Sequence, residues 1–334
     1  EGQTVYVPSI KTKAADAKTK INTSCEDKEI TIIDTVTYKN LHVGETYQVS
    51  GVLMDKSTGK PFLDSKGKEI RSKSESFTPT ETDGTVEVRF TFPATGLSGK
   101  STVVFEDLKQ GDVTLCSHAD IEDEAQTVYI PKIGTKATDA KTGKHSVKAG
   151  KVTINDVVKY QNLEKGKTYT LKGTLMDKKT GKAIKVNGKE VTATASFVAG
   201  GDTVSNEKDT VVGDVDKDAA EDAIQKTERV SGEATVTFKF DASGLGGKTL
   251  VAFEHLYEGE AEIANHTDIK DKAQSVDIIK VKKPVKGSKR GSYSRGKKVQ
   301  TGDNMKMYIF AGAAVILVIA GVAFLVKGKK KEEE

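Results

Sequence analysis

The sequence predicts an all-β chain of two tandem β-sandwiches, with one transmembrane helix near the C-terminus. Three observations carry this prediction. Residues 41–60 and 163–182 agree at 12 of 20 positions, which indicates a tandem duplication. Within each copy, short segments rich in Val, Thr, Tyr and Phe alternate polar with apolar residues, as strands with one buried face do. Residues 307–326 carry no charge and are long enough for a helix that crosses a bilayer.

The composition is typical of folded modules. The chain has 334 residues, of which 36% are hydrophobic and 30% are charged, which suffices for two domains of ordinary size. Lys and Arg number 52 and Asp and Glu 48, so the net charge of +4 does not indicate a protein that binds nucleic acid. The two cysteines exclude a disulfide-framed scaffold and a zinc site with four cysteine ligands. We predict no metal and no cofactor.

The two copies have the same order of elements. The segments Thr46 to Leu53, Val86 to Phe92 and Thr235 to Phe240 alternate as strands do, with Gly- and Asp-containing turns between them. Short strands at this spacing predict a β-sandwich in each copy. The offset between matching residues grows from 122 to 148 along the copy, so the second copy carries an insertion of 26 residues. We place the first sandwich at 9–131 and the second at 132–281.

The first residues of the chain are predicted to be the end of another repeat. Within residues 1–8, the run from Gln3 to Pro8 reproduces the run from Gln126 to Pro131 apart from one position. We therefore expect residues 1–8 to be the last strand of a preceding repeat, and the sequence to be a fragment or processed form. A head domain that binds a host-surface ligand is expected in the missing part.

The insertion in the second copy lies around residues 200–232 and contains a stretch that favours a short solvated helix. Its three aspartates at alternate positions from 214 to 218 are spaced like the start of a calcium loop. Ala219 replaces the glycine that such a loop needs, and Gln225 replaces its closing glutamate. A solvated acidic loop is the better interpretation.

The C-terminal segment predicts a single-pass membrane precursor. The uncharged stretch 307–326 is followed at once by a lysine-rich tail, residues 327–334. By the positive-inside rule, this tail lies in the cytoplasm and everything before Lys306 lies outside the membrane. The repeats are therefore expected on the extracellular side.

Thr301 and Gly302 stand just before this stretch. A Thr-Gly pair, an apolar span and a Lys-rich tail together resemble the sorting signals that sortases cleave. This resemblance covers about the last forty residues, and we place the sorting signal at 299–334. It implies cleavage between Thr301 and Gly302, loss of the span, and a covalent bond from Thr301 to the peptidoglycan of a Gram-positive cell wall. Lys298 and Val299 replace the usual Leu-Pro, which leaves the sortase class open. A plain membrane anchor is the alternative and predicts the same topology.

A basic segment separates the repeats from the sorting signal. From Lys280 to Lys298 there are nine basic residues and no acidic ones, with several Gly, Ser and Pro. This composition predicts a flexible cationic linker, residues 282–298, that crosses the anionic wall. A segment that binds heparin or nucleic acid is the alternative, which is disfavoured because Tyr293 is its one aromatic residue.

Five residues recur in the same order in both copies. Each copy has a Val-(Val/Ala)-Phe-Glu motif, and in each a histidine stands eight residues before a glutamine. On these motifs, residues 9–281 resemble the VaFE-repeat family of Gram-positive surface proteins, whose immunoglobulin-like (Cna-B-like) sandwiches form an internal Thr–Gln ester. The resemblance implies two sets of residues: Thr12, Asp34, Glu106, His118 and Gln126 in the first sandwich, and Thr135, Asp156, Glu254, His266 and Gln274 in the second.

The chemistry of these residue types agrees with the implied reaction. A threonine hydroxyl needs a base to become a nucleophile, and histidine suits this role because it titrates near neutrality. Glu106 beside Asp34 can stay protonated, because two close buried carboxyls disfavour double ionisation, and it would then stabilise the oxyanion on the glutamine. Water excluded from the core could not hydrolyse the ester. A Lys-to-Asn isopeptide bond, as in related pilin domains, is the rival cross-link.

The predicted function is that of a structural stalk in a cell-wall-anchored adhesin or pilus-like fibre. A bond from Thr12 to Gln126 would enclose 113 residues, so tension would pass through covalent bonds. Each domain would react once, and we find no second set of residues for a turnover enzyme. Expected partners are a sortase, peptidoglycan and a host-surface ligand, and not nucleic acid. A ligand-binding adhesive module is the alternative, and it would need an exposed aromatic or apolar cluster.

The two cysteines have two open interpretations. Cys25 and Cys116 both lie in the first sandwich and have no counterparts in the second. A disulfide between them is possible outside the cell, and two free thiols are equally compatible with the sequence.

Overall fold

The computed structural model describes four ranges of the chain: 5–26, 28–63, 67–201 and 227–281. These residues form twenty β-strands and no helix, so the all-β prediction is confirmed for them. Among them, the structure contains no helix with the length and apolarity that crossing a bilayer requires. The predictions for Thr301, Gly302, the span at 307–326, the linker at 282–298 and the helix in the insertion lie outside the described ranges.

The first sandwich consists of nine strands: β1 (Ser9–Asp16), β2 (Glu29–Lys39), β3 (Tyr47–Asp55), β4 (Lys60–Pro61), β5 (Glu75–Phe77), β6 (Gly84–Pro93), β7 (Ser101–Gln110), β8 (Val113–His118) and β9 (Thr127–Tyr129). One sheet has the order β1-β2-β6, and all its pairs are antiparallel. The other has the order β4-β3-β7-β8, with β5 paired to β3 and β9 paired to β7. Residues 5–8 precede β1 without forming a strand.

The second sandwich consists of eleven strands: β10 (Lys132–Asp139), β11 (Ser146–Lys148), β12 (Lys151–Glu164), β13 (Thr168–Asp177), β14 (Lys185–Val186), β15 (Lys189–Glu190), β16 (Thr192–Val198), β17 (Arg229–Asp241), β18 (Thr249–Glu258), β19 (Ala261–His266) and β20 (Ser275–Ile279). One sheet has the order β10-β12-β17. The other has the order β11-β20-β18-β13-β16, with β19 paired to β18, and β14 and β15 form a separate hairpin.

Each sandwich encloses its own hydrophobic core between its two sheets. In the first, Ile32 and Phe90 of one sheet pack with Leu53 and Leu108 of the other, and all four are fully buried. The alternation of buried and exposed residues along β2 and β6 follows from the period of two along a strand, which sends every second side chain inward. Each such buried side chain contributes about 1.5–3 kcal/mol of hydrophobic stabilisation.

The two sandwiches also contact each other through polar groups. Thr227 donates a hydrogen bond to Glu124 at 2.7 Å, and Asn162 donates one to the backbone carbonyl of Lys100 at 2.8 Å. The guanidinium carbon of Arg229 lies 3.2 Å from the ring centroid of Tyr129, which is a cation–π contact. These contacts cover the end of the first sandwich at which β9 leads into β10.

Both cysteines are free thiols in the structure, which resolves the two interpretations of the sequence. Cys25 is buried, and its sulfur accepts a hydrogen bond from the side-chain amide of Asn265 in the second sandwich at 3.5 Å. Cys116 lies on β8 and is partly exposed.

Candidate functional site

The predicted nucleophile and the predicted aspartate lie on neighbouring strands of one sheet. Thr12 on β1 pairs with Val36 on β2, and Ala14 pairs with Asp34, so Thr12 and Asp34 are diagonal neighbours on the inner face. Both side chains are buried. The second sandwich repeats this register with Thr135, Ala137, Asp156 and Val158.

Asp34 occupies a position that the strand pattern reserves for apolar residues. It stands in the middle of β2, with Ile32 before it and Val36 after it on the same inward row. Asp156 takes the same place in β12, between Ile154 and Val158. Burying a carboxyl in such a row is costly unless it is paired or protonated, so these positions are functional candidates on physical grounds.

The predicted glutamate comes from the opposite sheet. Glu106 on β7 is 2% exposed and pairs with Gly51 on β3. A Cβ atom at position 51 would meet the ring of Phe90 and the backbone oxygen of Phe105 at 2.7 Å each. Glycine at this position therefore leaves room for the glutamate and the aromatic ring. Sequence analysis missed this residue, although the repeated segments 41–60 and 163–182 both contain it.

The predicted glutamine is held between the two sheets by backbone hydrogen bonds. The amide of Ala14 donates to the carbonyl of Ala125 at 2.9 Å, and the amide of Val104 donates to the carbonyl of Gln126 at 3.1 Å. Each contact joins the glutamine segment to a strand that carries a candidate residue. The second sandwich has the same two bonds, from Ala137 to Ala273 and from Ala252 to Gln274.

The candidate residues of the first sandwich meet directly. The side-chain nitrogen Nε2 of Gln126 donates to Oγ1 of Thr12 at 2.5 Å and to Oε2 of Glu106 at 2.8 Å. Gln126 is fully buried and Thr12 is 6% exposed. The hydroxyl oxygen thus lies in hydrogen-bond contact with the amide of the glutamine that the sequence pairs with it.

The second sandwich has the same residues with different contacts. Nε2 of Gln274 donates to the backbone carbonyl of His266 at 3.1 Å. The hydroxyl of Thr135 and the carboxyl of Glu254 are buried, and both lie beside the carboxyl of Asp156. A Cβ atom at Gly173, the partner of Glu254 on β13, would lie 2.9 Å from the carboxyl carbon of that glutamate.

Unsatisfied polar atoms concentrate at these two sites. Among the described residues, twelve buried side-chain oxygen or nitrogen atoms lack a hydrogen bond, and ten of them belong to the predicted residues. Each such atom costs about 1–3 kcal/mol, so folded proteins contain few of them. Seven of the ten are carboxyl oxygens, and a proton on the glutamate of each site would let its carboxyl bond to that of the neighbouring aspartate.

Burial raises the pKa of both carboxyls at each site. Burial, with a further contribution from Asp156, raises the pKa of Glu254 to about 10, and burial raises the pKa of Asp156 to about 6. In the first sandwich burial likewise raises the pKa of Glu106, to which Asp34 adds, and the pKa of Asp34. Glu254 therefore holds a proton at neutral pH beside Asp156, and in the first sandwich burial acts on Glu106 in the same direction.

The predicted histidines lie at the edge of the sites. His118 on β8 pairs with Glu106 on β7, and its Nε2 lies 2.8 Å from a carboxyl oxygen of Asp123. Within the described part of the chain, no hydrogen bond joins His118 to Thr12. Asp123 was missed as a site residue, although an aspartate stands three residues before the glutamine in both copies.

The second histidine is held by the equivalent aspartate of its own sandwich. Nε2 of His266 lies 3.0 Å from Asp271, and its Nδ1 lies 3.3 Å from the backbone oxygen of Ile133. Burial opposes ionisation of Asp271, but the amide of Ala273 and the ring of His266 together hold its pKa below the usual range. The aspartate is therefore ionised and orients the ring.

The structure gives no candidate metal centre in its described ranges. No group of three or more His, Cys, Asp or Glu side chains is close enough there to hold a metal ion. The three aspartates of the calcium-like sequence, between 214 and 218, lie outside the described ranges.

Comparison with protein families gives two matches along the chain. The model of the family described as T-Q ester bond containing domain matches residues 8–130 and again residues 131–278. Together the two matches cover both sandwiches. No curated protein matches the sequence.

Solved structures include distant matches. A Mobiluncus mulieris bacterial adhesin, described as containing intramolecular disulfide, isopeptide and ester bond cross-links, is 14% identical. The match covers 75% of this chain and 80% of the adhesin chain, with a TM-score of 0.34. The C-terminal domain of the Streptococcus agalactiae AgI/II polypeptide BspA is 8% identical, with 76% of this chain and 97% of that chain covered and a TM-score of 0.32.

Proposed function

The chain belongs to the family of T-Q ester bond containing domains, as the predicted resemblance implied, and from this membership we propose that each sandwich closes an ester between its own Thr and Gln. The observation that carries the proposal is the 2.5 Å contact between the Thr12 hydroxyl and the Gln126 amide, beside two buried carboxyls with raised pKa. Thr135 and Gln274 are the corresponding pair in the second sandwich.

The proposed reaction is an acyl transfer that releases ammonia. The Thr12 oxygen attacks the side-chain carbonyl carbon of Gln126, a carbon–oxygen bond forms, and the carbon–nitrogen bond then breaks. A half-turn of the Gln126 amide exchanges its nitrogen and oxygen, so that protonated Glu106 donates to the oxygen on which negative charge develops. The threonine proton leaves with the amide nitrogen as ammonia, so atoms and charge balance.

We infer that the proton moves in two steps. Thr12 and Asp34 are diagonal neighbours on the inner face of β1 and β2, which places the hydroxyl beside this carboxyl. Asp34 would take the proton of the Thr12 hydroxyl during attack, and His118, oriented by Asp123, would give a proton to the leaving nitrogen. Transfer of the proton from Asp34 to His118 would then restore both groups, so that the net transfer is of the threonine proton to ammonia. In the second sandwich the leaving nitrogen of Gln274 is already bound to the backbone carbonyl of His266.

The ester would make each sandwich a covalent part of a stalk. Thr12 lies on the first strand and Gln126 directly precedes the last, so a bond between them bridges the two ends of the domain. Tension would pass through the ester while the 113 enclosed residues carry none. We propose an immunoglobulin-like stalk of a cell-wall-anchored adhesin or pilus-like fibre, with single-turnover chemistry, sortase cleavage at Thr301 and attachment to peptidoglycan. A host-ligand-binding module with isopeptide bonds is the second candidate.

The intact mass of the denatured full chain tests the proposal. We expect a mass two ammonia molecules below the value calculated from the sequence, one for each sandwich. Hydroxylamine cleaves esters, so treatment should open both bonds. A deficit that survives hydroxylamine would establish isopeptide bonds instead, and an unshifted mass would contradict both kinds of cross-link.

Gly173→Ala should prevent the ester of the second sandwich. The new methyl group would lie 2.9 Å from the carboxyl carbon of Glu254 and against the ring of Phe238, so the glutamate must leave its place. We expect the mass deficit to fall from two ammonia molecules to one. The first sandwich serves as an internal standard in the same sample.

Gly134→Ala is the matched control for this substitution. Gly134 precedes Thr135 on β10, and a Cβ atom there meets nothing within 4 Å. This variant should keep both esters. Loss of two ammonia molecules from Gly173→Ala at the same rate as from Gly134→Ala would show that the position of Glu254 is not required.

A further inference from the structure

A lysine-lined groove lies at the end of the second sandwich where β20 ends. Its volume is about 910 Å³. Its apolar residues are Val147, Val152, Phe240 and Ile279, of which Ile279 is 48% exposed. The remaining wall is mainly basic and contains five exposed lysines: Lys141, Lys144, Lys148, Lys151 and Lys239.

The positive charge of this groove is only partly neutralised within the described residues, where Lys151 lies opposite Asp241 across β12 and β17 and interacts with its charge. None of the five lysines forms an ion pair with a carboxylate among the described residues. Of the two acidic residues in the wall, Asp139 accepts hydrogen bonds from the amide and hydroxyl of Thr142, and Asp241 accepts them from Ser243. Five lysines and two aspartates leave an excess of three positive charges around an apolar floor.

The sandwich fold does not require these lysines. When the strand registers of the two copies are matched, Lys144, Lys148, Lys151 and Lys239 correspond to four uncharged or acidic residues of the first sandwich: Ile21, Cys25, Glu29 and Thr91. The corresponding hollow in the first sandwich has a volume of about 260 Å³. The basic groove is therefore a separate property of the second sandwich.

The excess of positive charge indicates the kind of ligand that the groove would hold. A ligand that carries several negative charges matches this excess.

We propose that this groove binds a polyanionic glycan, with sugar rings on the apolar floor and sulfate or carboxylate groups on the lysines. The floor distinguishes this ligand from inorganic polyphosphate, which has no apolar part to cover Val147 and Ile279. Phe240 is the one aromatic residue among those that line the groove, whereas single-stranded nucleic acid is usually held by several stacked rings. A sulfated glycan has sulfate groups that can pair with the lysines and sugar rings that can cover the apolar floor.

The test compares two triple variants of the full chain in a neutral detergent. Lys144, Lys148 and Lys239 are changed to Gln in the groove set, and Lys136, Lys189 and Lys270 in the control set. The control lysines are also exposed and lie on the same sandwich, and their replacement removes the same amount of charge. Both sets keep the basic segment, so its contribution cancels. Equal melting temperatures of the two sets confirm that both variants are folded.

The probe is a sulfated glucan oligosaccharide, with binding measured by calorimetry at two salt concentrations. The groove set should bind about tenfold more weakly than the wild-type chain, because three charge contacts with the sulfate groups are lost. The control set should bind within about twofold of wild type. Ile279→Ser should also weaken binding of the sulfated glucan, because it removes part of the apolar floor.

Three further probes decide the outcome. The unsulfated glucan should not bind measurably, and polyphosphate or single-stranded DNA of equal charge should bind more weakly and be unaffected by Ile279→Ser. Equal losses in the groove and control sets would overturn the proposal. Polyphosphate or DNA binding as tightly as the sulfated glucan, through the same three lysines, would also overturn it.

Discussion

Replacing both nucleophiles, Thr12→Val and Thr135→Val, is expected to lower the melting temperature of the two sandwiches by about 15–20 °C. In the chain-entropy model, a cross-link that closes a loop of about 100 residues stabilises the folded state by about 4.7 kcal/mol. For a domain of this size, about 1 kcal/mol corresponds to about 3–5 °C. Valine has nearly the shape of threonine, so packing of the core should change little.

The single variants separate the two domains. The ester of the first sandwich would enclose 113 residues and that of the second 138, and the stabilisation depends only on the logarithm of this number. Thr12→Val and Thr135→Val should therefore destabilise their own domains by similar amounts. Each should also restore the mass of one ammonia molecule.

Threonine-to-serine variants are the controls for this loss. Serine keeps the hydroxyl and removes only a methyl group, so the esters should still form and most of the stability should remain. Calorimetry and intact mass are measured on the same samples. If the valine variants melt at the wild-type temperature, while the wild-type mass shows both esters, the cross-links do not stabilise the folded state against heat.

Much of this arrangement could be predicted because it depends on periodicity and repetition. Alternation located the strands, and the family resemblance carried by the recurring motifs selected Glu106 and Gln126 from the many polar residues around them. Gly51 and Asp123 recur equally well, yet their roles depend on which strands are neighbours. The pairing of β7 with β3 shows that Gly51 makes room for the glutamate. The pairing of β8 with β7 brings His118, which Asp123 holds, to the same site.

Side-chain contacts and distant residues set the limit of sequence analysis. The two copies have the same five residues, but the amide of Gln126 contacts the threonine, whereas that of Gln274 contacts a backbone carbonyl. Nothing in the sequence distinguishes these orientations. The lysines of the groove are spread over positions 141–239, so only the fold brings them together.

The proton shared by the buried carboxyls has a consequence for stability that the valine variants make measurable. In the Thr12→Val, Thr135→Val protein no ester forms, and Glu106 and Glu254 remain beside their aspartates. Burial raises the pKa of both glutamates, to about 10 for Glu254, from an ordinary value of 4.5. The folded domain therefore keeps a proton that the unfolded chain releases above about pH 4.5.

The sign of the effect follows from this difference in bound protons. The contribution of each glutamate to stability is fully present below its pKa in the unfolded chain. It is lost as the pH rises through the pKa of that glutamate in the folded domain, so these domains should be more stable at pH 5 than at pH 8. The loss is at most about 1.4 kcal/mol per pH unit for each group. Groups with lowered pKa, such as Asp177 and Asp271, act in the opposite direction, but they complete their titration below pH 5.

Urea unfolding of the double-valine protein at pH 5, 6.5 and 8 measures this slope. Adding Glu106→Gln and Glu254→Gln supplies the control, because glutamine stays neutral at every pH and should remove most of the dependence. If the slope is the same with glutamate and with glutamine, the glutamates are not the groups that hold the extra protons. A flat profile with glutamate would mean that they ionise in the folded domain, which would remove the proton that the proposed oxyanion stabilisation needs.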